Sequence, residues 1–193
     1  MIDFPVALLL GGLSLPVGAS QSADEAIQDW SGIEVPGRWE QSIEADRSHP
    51  FAGLDGIAWY WTAFELPDSW PLEEMQLQLG TIDDADRTSL NGVLIGSTGS
   101  FPPEPGSAWN TSRSYGVPAD LFRRGANVIA VEVHDSGGLG GLGDERGPVT
   151  LGNGERRIDL RGTWLFHPGA IGSADMLDPS SDAGRSLLQH QAA

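Results

Sequence analysis

Apolar and polar residues alternate with a period of two through most of the chain. In "MQLQLGTI" (residues 75–82), Leu77 and Leu79 fall on one side and Gln76 and Gln78 on the other, the pattern of a strand with one buried face. In "GIAWYWTAFELP" (residues 56–67), Trp59, Trp61 and Ala63 share one face, and Tyr60, Thr62 and Phe64 share the other. "NVIAVEVHD" (residues 127–135) is the clearest strand, rich in β-branched residues. "RTSLNGVLIGS" (residues 87–97) sets Asn91-Gly92 between two apolar arms. That pair predicts a type I′ hairpin, because both central residues need positive φ. "IEVPGRW" (residues 33–39) reads as a short extended piece ending at Pro36-Gly37, and "GPVTLG" and "RIDLRGTWLF" supply the last strands. "PADLFRRG" (residues 118–125) reads as one helical turn, opened by proline and closed by glycine. Seven or eight short strands with turn chemistry between them predict an all-β sandwich of jelly-roll or immunoglobulin-like type.

The stretch "VIAVEVHDSGGLGGLGDERG" (residues 128–147) contains the spacing G-x-G-x-x-G at Gly138, Gly140 and Gly143. A dinucleotide fingerprint needs those glycines to open a helix whose N-terminus meets the pyrophosphate. Here another glycine, a proline and then a strand follow, so the nucleotide reading is rejected.

Composition narrows the partners. The 193 residues suit one domain with its own core. A formal net charge of −16, with 27 acids, 11 arginines and no lysine, disfavours nucleic acid and anionic membrane, both of which need a basic patch. The absence of cysteine excludes disulfides, thiolate metal sites and a cysteine nucleophile. Residues 1–22 hold an apolar stretch followed by Gly18, Ala19 and Ser20. This is the pattern of a cleaved export signal without its basic start, too short and broken to span a bilayer. The expected location is therefore extracellular or periplasmic. Residues 23–168 carry the sandwich. Residues 169–193, rich in Ser, Asp, Ala and Gly, read as a loose tail or the start of a further domain.

Two acidic clusters and one loop carry the candidate chemistry. Asp83, Asp84 and Asp86 follow the strand at residues 75–82, and Asp135, Asp144 and Glu145 surround the glycine loop. Such acids suit glycoside hydrolysis or oxygen ligation of Ca²⁺, though the spacing is not that of an EF-hand and assigns no metal set. Turn capping is the simpler account of Asp83, Asp84 and Asp86. The loop "FPPEPGSAWNTSRSY" (residues 101–115) brings Trp109, Arg113 and Tyr115. Aromatic rings stack on the apolar faces of sugars while polar side chains take the hydroxyls. For Trp109, ligand contact and loop packing both stand. Trp39, Trp59, Trp61 and Trp164 lie in strand-like segments and are expected in the core.

The fragments "WSGIEVPGRWE", "DGIAWYWTAFELPDSW", "LQLGTIDDADRTSLNGVLIGSTG", "YGVPADLFRRGANVIAVEVHDSGGLGG" and "GPVTLG" occur in an order that resembles a known domain. It is the galactose-binding-like jelly roll at the N-terminus of glycoside hydrolase family 2 enzymes. The version in bacterial sialate O-acetylesterases is more similar still. The resemblance spans residues 29–164. It implies a carbohydrate-binding or accessory module beside a catalytic hydrolase domain, and makes Asp135, Asp144 and Glu145 sugar-facing or interface residues. Sandwiches of this kind often carry a structural Ca²⁺; no other cofactor is expected. The family's catalytic residues lie in separate domains for which this chain has no room. A non-catalytic carbohydrate-binding module is therefore the expected function. A docking domain that binds no sugar is the alternative, and a small hydrolase using Asp83 and Asp144 comes third.

Overall fold

The structure, a computed structural model, describes residues 29–40, 54–143, 147–171 and 174–192. The expected export signal at residues 1–22 lies outside the described residues, as do Asp144 and Glu145.

The alternating segments fold into two antiparallel sheets, the all-β sandwich that the pattern predicts. The strands are β1 (Ser31–Val35), β2 (Gly37–Arg38), β3 (Gly56–Glu65), β4 (Met75–Asp83), β5 (Ala85–Leu90), β6 (Val93–Thr98), β7 (Ser112–Val117), β8 (Ala126–Asp135), β9 (Gly141–Leu142), β10 (Thr150–Gly152), β11 (Arg157–Asp159) and β12 (Gly162–Pro168). One sheet runs β1-β12-β3-β8-β5-β6, and the other runs β11-β10-β4-β9-β2 with β7 also paired to β4. The Asn91-Gly92 turn joins β5 to β6 with φ of 49° and 80°, as a type I′ turn requires. Asn91 is also a tie. Its side chain donates to the Leu121 carbonyl at 2.8 Å and accepts from Val128 N at 2.9 Å. The helical turn expected at residues 118–125 is a 3-10 turn, Ala119–Leu121.

The main core lies between the sheets. Leu77 and Leu79 of β4 meet Tyr60 and Phe64 of β3, Ile129, Val131 and Val133 of β8, and Trp39, Trp164 and Phe166. Trp39, Trp59, Trp61 and Trp164 are all buried. Trp59 and Trp61, however, belong to a second cluster on the outer face of the first sheet, with Trp30, Val128, Ala130, Leu165, Leu177 and Leu187. The last two come from the C-terminal segment. Where composition suggests a loose tail, residues 174–192 form a 3-10 turn (Ala174–Leu177) and α1 (Asp182–Gln191) lying on that face. Ser181 caps α1 by accepting from Gly184 N at 2.9 Å. Trp61 Nε1 donates to the Leu177 carbonyl, Gln191 bonds Ala63 N and Thr62 Oγ1, and Arg123 grips Asp178 through both guanidinium nitrogens. Burial of each tryptophan contributes about 1.5–3 kcal/mol, enough to hold a helix that would be marginal alone. Among the described residues, no helix is long and apolar enough to cross a membrane.

Candidate functional site

Three strand ends converge at one end of the sandwich. β4 finishes at Asp83, β5 starts one residue after Asp84, and β8 finishes at Asp135. The Asp84 N–H donates to the His134 carbonyl at 2.9 Å, which locks the turn between β4 and β5 to the end of β8. One carboxylate oxygen from each of Asp83, Asp84 and Asp135 lies within 4.8 Å of the other two. Acids about a quarter of the chain apart are thereby brought into one cluster, and residues 136–140 carry the backbone past it into β9 beside β4.

The three carboxylates have different surroundings. Asp84 ties two loops together. One oxygen accepts from Ser107 Oγ, the other from Ser136 N at 2.9 Å and from Ser136 Oγ. Burial pushes its pKa up, but these donors together outweigh burial and hold it at about 2. Asp83 goes the other way. Burial first, then its hydrogen bond with Asp84 and the charges of Asp84 and Asp135, push it up to about 6 against the opposing charge of Arg38. Asp135 is 1% exposed. Its Oδ1 accepts from Gly137 N at 2.9 Å, while its Oδ2 has no hydrogen-bond donor. Burial raises its pKa, and the charges of Asp84 and Asp55 add to the effect.

Beside this cluster runs an open groove of about 320 Å³, lined by Arg38, Thr81, Asp83, Trp109, Asn110 and Leu139 with Gly141 and Gly143. Trp109 is 62% exposed and Leu139 46% exposed. Trp109 thus stands on the groove rim, open to solvent, rather than in the core. A larger concavity of about 770 Å³ on the outer face of β4, β10 and β11 is lined by groups such as Gln76, Gln78, Thr150, Asn153 and Arg157. Its lining includes Glu74 and Glu155 but no aromatic ring, so the Trp109 groove is the better candidate.

Asp86, Arg113 and Tyr115 sit elsewhere. They form a buried network beneath the loop rather than facing the groove. Asp86 accepts from Arg113 Nε at 2.8 Å, Thr88 Oγ1 at 2.8 Å and the Tyr115 hydroxyl at 2.9 Å. The Arg113 guanidinium also donates to the carbonyls of Ala108, Thr111 and Asp84. Arg113 therefore holds the backbone on both sides of Trp109, and its role is to position that ring. Asp83, Asp84 and Asp135 are assembled and Trp109 flanks them; Asp86, Arg113 and Tyr115 support the loop from below.

The glycine loop also has an internal explanation. A Cβ on Gly140 would stand 1.8 Å from the Trp39 ring, and one on Gly143 would stand 2.6 Å from Pro36. Gly140 is further fixed from both sides: its carbonyl accepts from Trp39 N and its N–H donates to Glu40 Oε1. The close approach that these glycines permit is to the chain's own residues. No helix follows them among the described residues, as the rejection of a nucleotide turn requires.

Sequence reasoning passed over Arg38, Thr81, Asn110 and Leu139 in the groove, and Ser107 and Ser136 on Asp84. Asn110 adjoins Trp109, and Ser136 adjoins Asp135, so proximity alone could have marked both. Arg38 lies far away in sequence and carries no such signal.

No family model matches the chain, and no curated protein matches it. Solved structures similar to parts of it include Bifidobacterium dentium β-glucuronidase complexed with coumarin-3-O-glucuronide, at 22% identity and a TM-score of 0.41 over 52% of this chain and 14% of that one. Streptomyces avermitilis α-L-rhamnosidase complexed with L-rhamnose matches at 18% identity and a TM-score of 0.46, over 62% of this chain and 11% of that one. Faecalibacterium prausnitzii β-glucuronidase matches at 18% identity and a TM-score of 0.44, over 64% of this chain and 19% of that one. The chain thus spans less than a fifth of the length of each of these enzymes, whose activities belong to the whole proteins.

Proposed function

We propose that the chain is a non-catalytic carbohydrate-binding module that lays a sugar in the groove beside Trp109. The observation that carries this is the Trp109 ring, 62% exposed on a groove whose lining also includes Arg38, Asn110, Thr81 and Asp83. An exposed flat ring for the sugar's apolar face, with donors and acceptors alongside for its hydroxyls, is the chemistry that saccharide recognition needs. The acids support binding over hydrolysis. Asp84 and Asp135 are buried, and Asp84 is committed to Ser107 and Ser136. That leaves Asp83 alone of the three on the groove, where a glycosidase needs a pair of carboxyl groups flanking the bond it cleaves. Affinity is modest, since an open groove buries little area and sugar hydroxyls exchange water for protein bonds. The resemblance of residues 29–164 extends the proposal to an accessory role in a glycan-degrading hydrolase of the family 2 or sialate O-acetylesterase kind, acting outside the cytoplasm.

A glycan array on the full chain and on Trp109→Ala tests it. The expected result is a defined set of hits lost in the variant, with its melting temperature nearly unchanged, because an exposed substitution shifts stability by only about ±0.5 kcal/mol. Hits that persist in Trp109→Ala refute the groove assignment. A second reading, docking to a partner domain without sugar binding, has its own surface: Val93 and Leu94 are exposed on β6. A blank array from a folded, monomeric sample favours that reading.

A further inference from the structure

We infer that the Trp109 groove is one end of a longer site, in which a neutral oligosaccharide runs from Trp109 along the outer face of β4 into the concavity of β4, β10 and β11. This rests on the groove being a sugar site and names the class of sugar it takes, a chain of several rings. The observation that carries it is the use of one strand by both hollows. Thr81 and Asp83 line the groove, and Gln76 and Gln78 line the larger concavity of about 770 Å³. In a regular strand, residues an odd number apart face opposite ways. Here the pairing with β7 shifts register between Gln78 and Gly80, which places one extra residue on β4 as a bulge does, and Gly80 takes φ of 69° there. Met75, Leu77, Leu79 and Ile82 enter the core, so Gln76, Gln78, Thr81 and Asp83 all stand on the outer side. Without the extra residue, Thr81 and Asp83 would face inward. Gln78 and Thr81 lie about 10 Å apart along the strand, and Gln76 to Asp83 spans about 20 Å, far longer than a single sugar ring. The β7 partners on this stretch, Ser112, Ser114 and Gly116, are too small to raise a wall between the two hollows.

The chemistry of the lining selects the occupant. Gln76 and Gln78 are exposed, and their amide oxygens accept only long hydrogen bonds, from Ser114 Oγ and Thr150 Oγ1 at 3.4 Å. Among the described residues, no hydrogen bond engages either amide nitrogen. Each glutamine therefore offers two donors and a weakly used acceptor, which match the donor and acceptor of a sugar hydroxyl. A protein partner needs aromatic or apolar anchors. The exposed large apolar side chains of the described residues are Leu72, Val93, Leu94, Trp109 and Leu139, and none of them lines this concavity. An anionic chain would meet Glu74, Glu155 and Asp83 on a protein of net charge −16. The two arginines, Arg157 in the concavity and Arg38 in the groove, count against a cationic one. A neutral, hydroxyl-rich chain is what remains. Trp109 takes the apolar face of one ring, and the glutamines take hydroxyls of the rings that follow.

Dependence on ligand length tests it. Neutral oligosaccharides of one to six rings, cut from β-glucan, xylan, galactan and mannan, are titrated into the full chain by calorimetry, with oligogalacturonate as the charged control. The expected result is an affinity that climbs at least tenfold between one ring and four in a neutral series, with oligogalacturonate weaker. Gln76→Ala and Gln78→Ala, both at exposed positions, should leave Tm nearly unchanged. Each should weaken the four-ring ligand about two- to tenfold, the net worth of one hydrogen bond, and leave the one-ring ligand unaffected. Trp109→Ala should weaken both. Binding that is lost in Trp109→Ala but does not grow with length, or that ignores both glutamine variants, overturns the extended site and leaves the groove standing. Length-dependent binding that needs the glutamines but not Trp109 sinks the groove reading, and with it a site that starts there. Tighter binding of oligogalacturonate than of every neutral series overturns the choice of a neutral chain. No binding by any series overturns the groove reading and the extended site together.

Discussion

Replacing Arg113 by methionine probes whether Trp109 is held by a buried ion pair. Asp86 is fully buried and Arg113 is 1% exposed, with Nε and Oδ1 at 2.8 Å. The substitution keeps most of the side chain's apolar bulk and removes the charge. Asp86 then stays buried with the donors Thr88 and Tyr115 but no counter-charge. Removing one member of such a pair costs about 3–5 kcal/mol, far more than the pair itself is worth against an apolar replacement. The carbonyls of Ala108, Thr111 and Asp84 also lose their donor, though those near the rim can turn to water. A loss of about 4 kcal/mol is a large part of a typical domain's 5–15 kcal/mol. At about 2–4 °C per kcal/mol for a chain of this size, it lowers Tm by about 8–16 °C.

Urea unfolding followed by tryptophan fluorescence and circular dichroism gives the free energy directly. The double variant Asp86→Asn/Arg113→Met is the sharper measurement. Asparagine still accepts from Thr88 and Tyr115 but carries no charge, so adding the second substitution should recover about 2 kcal/mol of the loss. A single variant within 1 kcal/mol of the unchanged protein, or a double variant less stable than Arg113→Met, would refute the claim that a stranded charge is what the loop cannot tolerate.

Two further outcomes follow from the geometry. Gly140→Ala drives a Cβ into the Trp39 ring at 1.8 Å and should destabilise by about 1–3 kcal/mol or more, measured by urea unfolding, whereas alanine at Gly138, with φ of 110° and nothing within 4 Å, meets only backbone strain. Asp178 is held at about 2 chiefly by the hydrogen bonds from Arg123; its folded pKa lies below its unfolded value, so its contribution is complete above about pH 5 and is lost progressively as pH falls through the folded pKa. The Tm gap between the unchanged protein and Asp178→Asn should therefore be full at pH 7 and largely lost by pH 2, and a gap at pH 2 as wide as at pH 7 contradicts the assignment.

Much of the sandwich is written locally. Asn91-Gly92 announces its turn because few other residue pairs accept positive φ twice, and the alternation of β4 and β8 marks which side chains enter the core. What the sequence conceals is whatever joins distant segments. The period-two reading of β3 separates Trp59 and Trp61 from Tyr60 and Phe64, but both sets are apolar, and both faces are buried. That two-sided strand is itself the signal that something must cover the outer face. The covering piece is nearly invisible because α1 is short, polar in composition and built around few apolar anchors such as Leu187. Its hold comes from partners distant in sequence: Arg123 on Asp178, and Gln191 on Ala63 and Thr62.

The acids illustrate the same limit at closer range. Asp83, Asp84 and Asp86 look equivalent in "TIDDADRT", yet they take three different roles. Asp86 points into the sandwich and needs Arg113. Asp84 binds the two loops through Ser107 and Ser136. Asp83 alone reaches the groove. Alternation can place neighbours on opposite sides of a strand, but it cannot supply the partners, which come from residues 107–115 and 134–137. The groove is therefore a composite. Arg113 fixes the Trp109 side from below, Asp84 fixes the turn between β4 and β5, and the contact of Gly140 with Trp39 fixes the Leu139 side. Each tie is buried or half-buried, so the walls are set before a ligand arrives. A site set in advance loses little ordering entropy on binding. A sugar laid in the groove, as proposed, would therefore meet a ring and walls already in place.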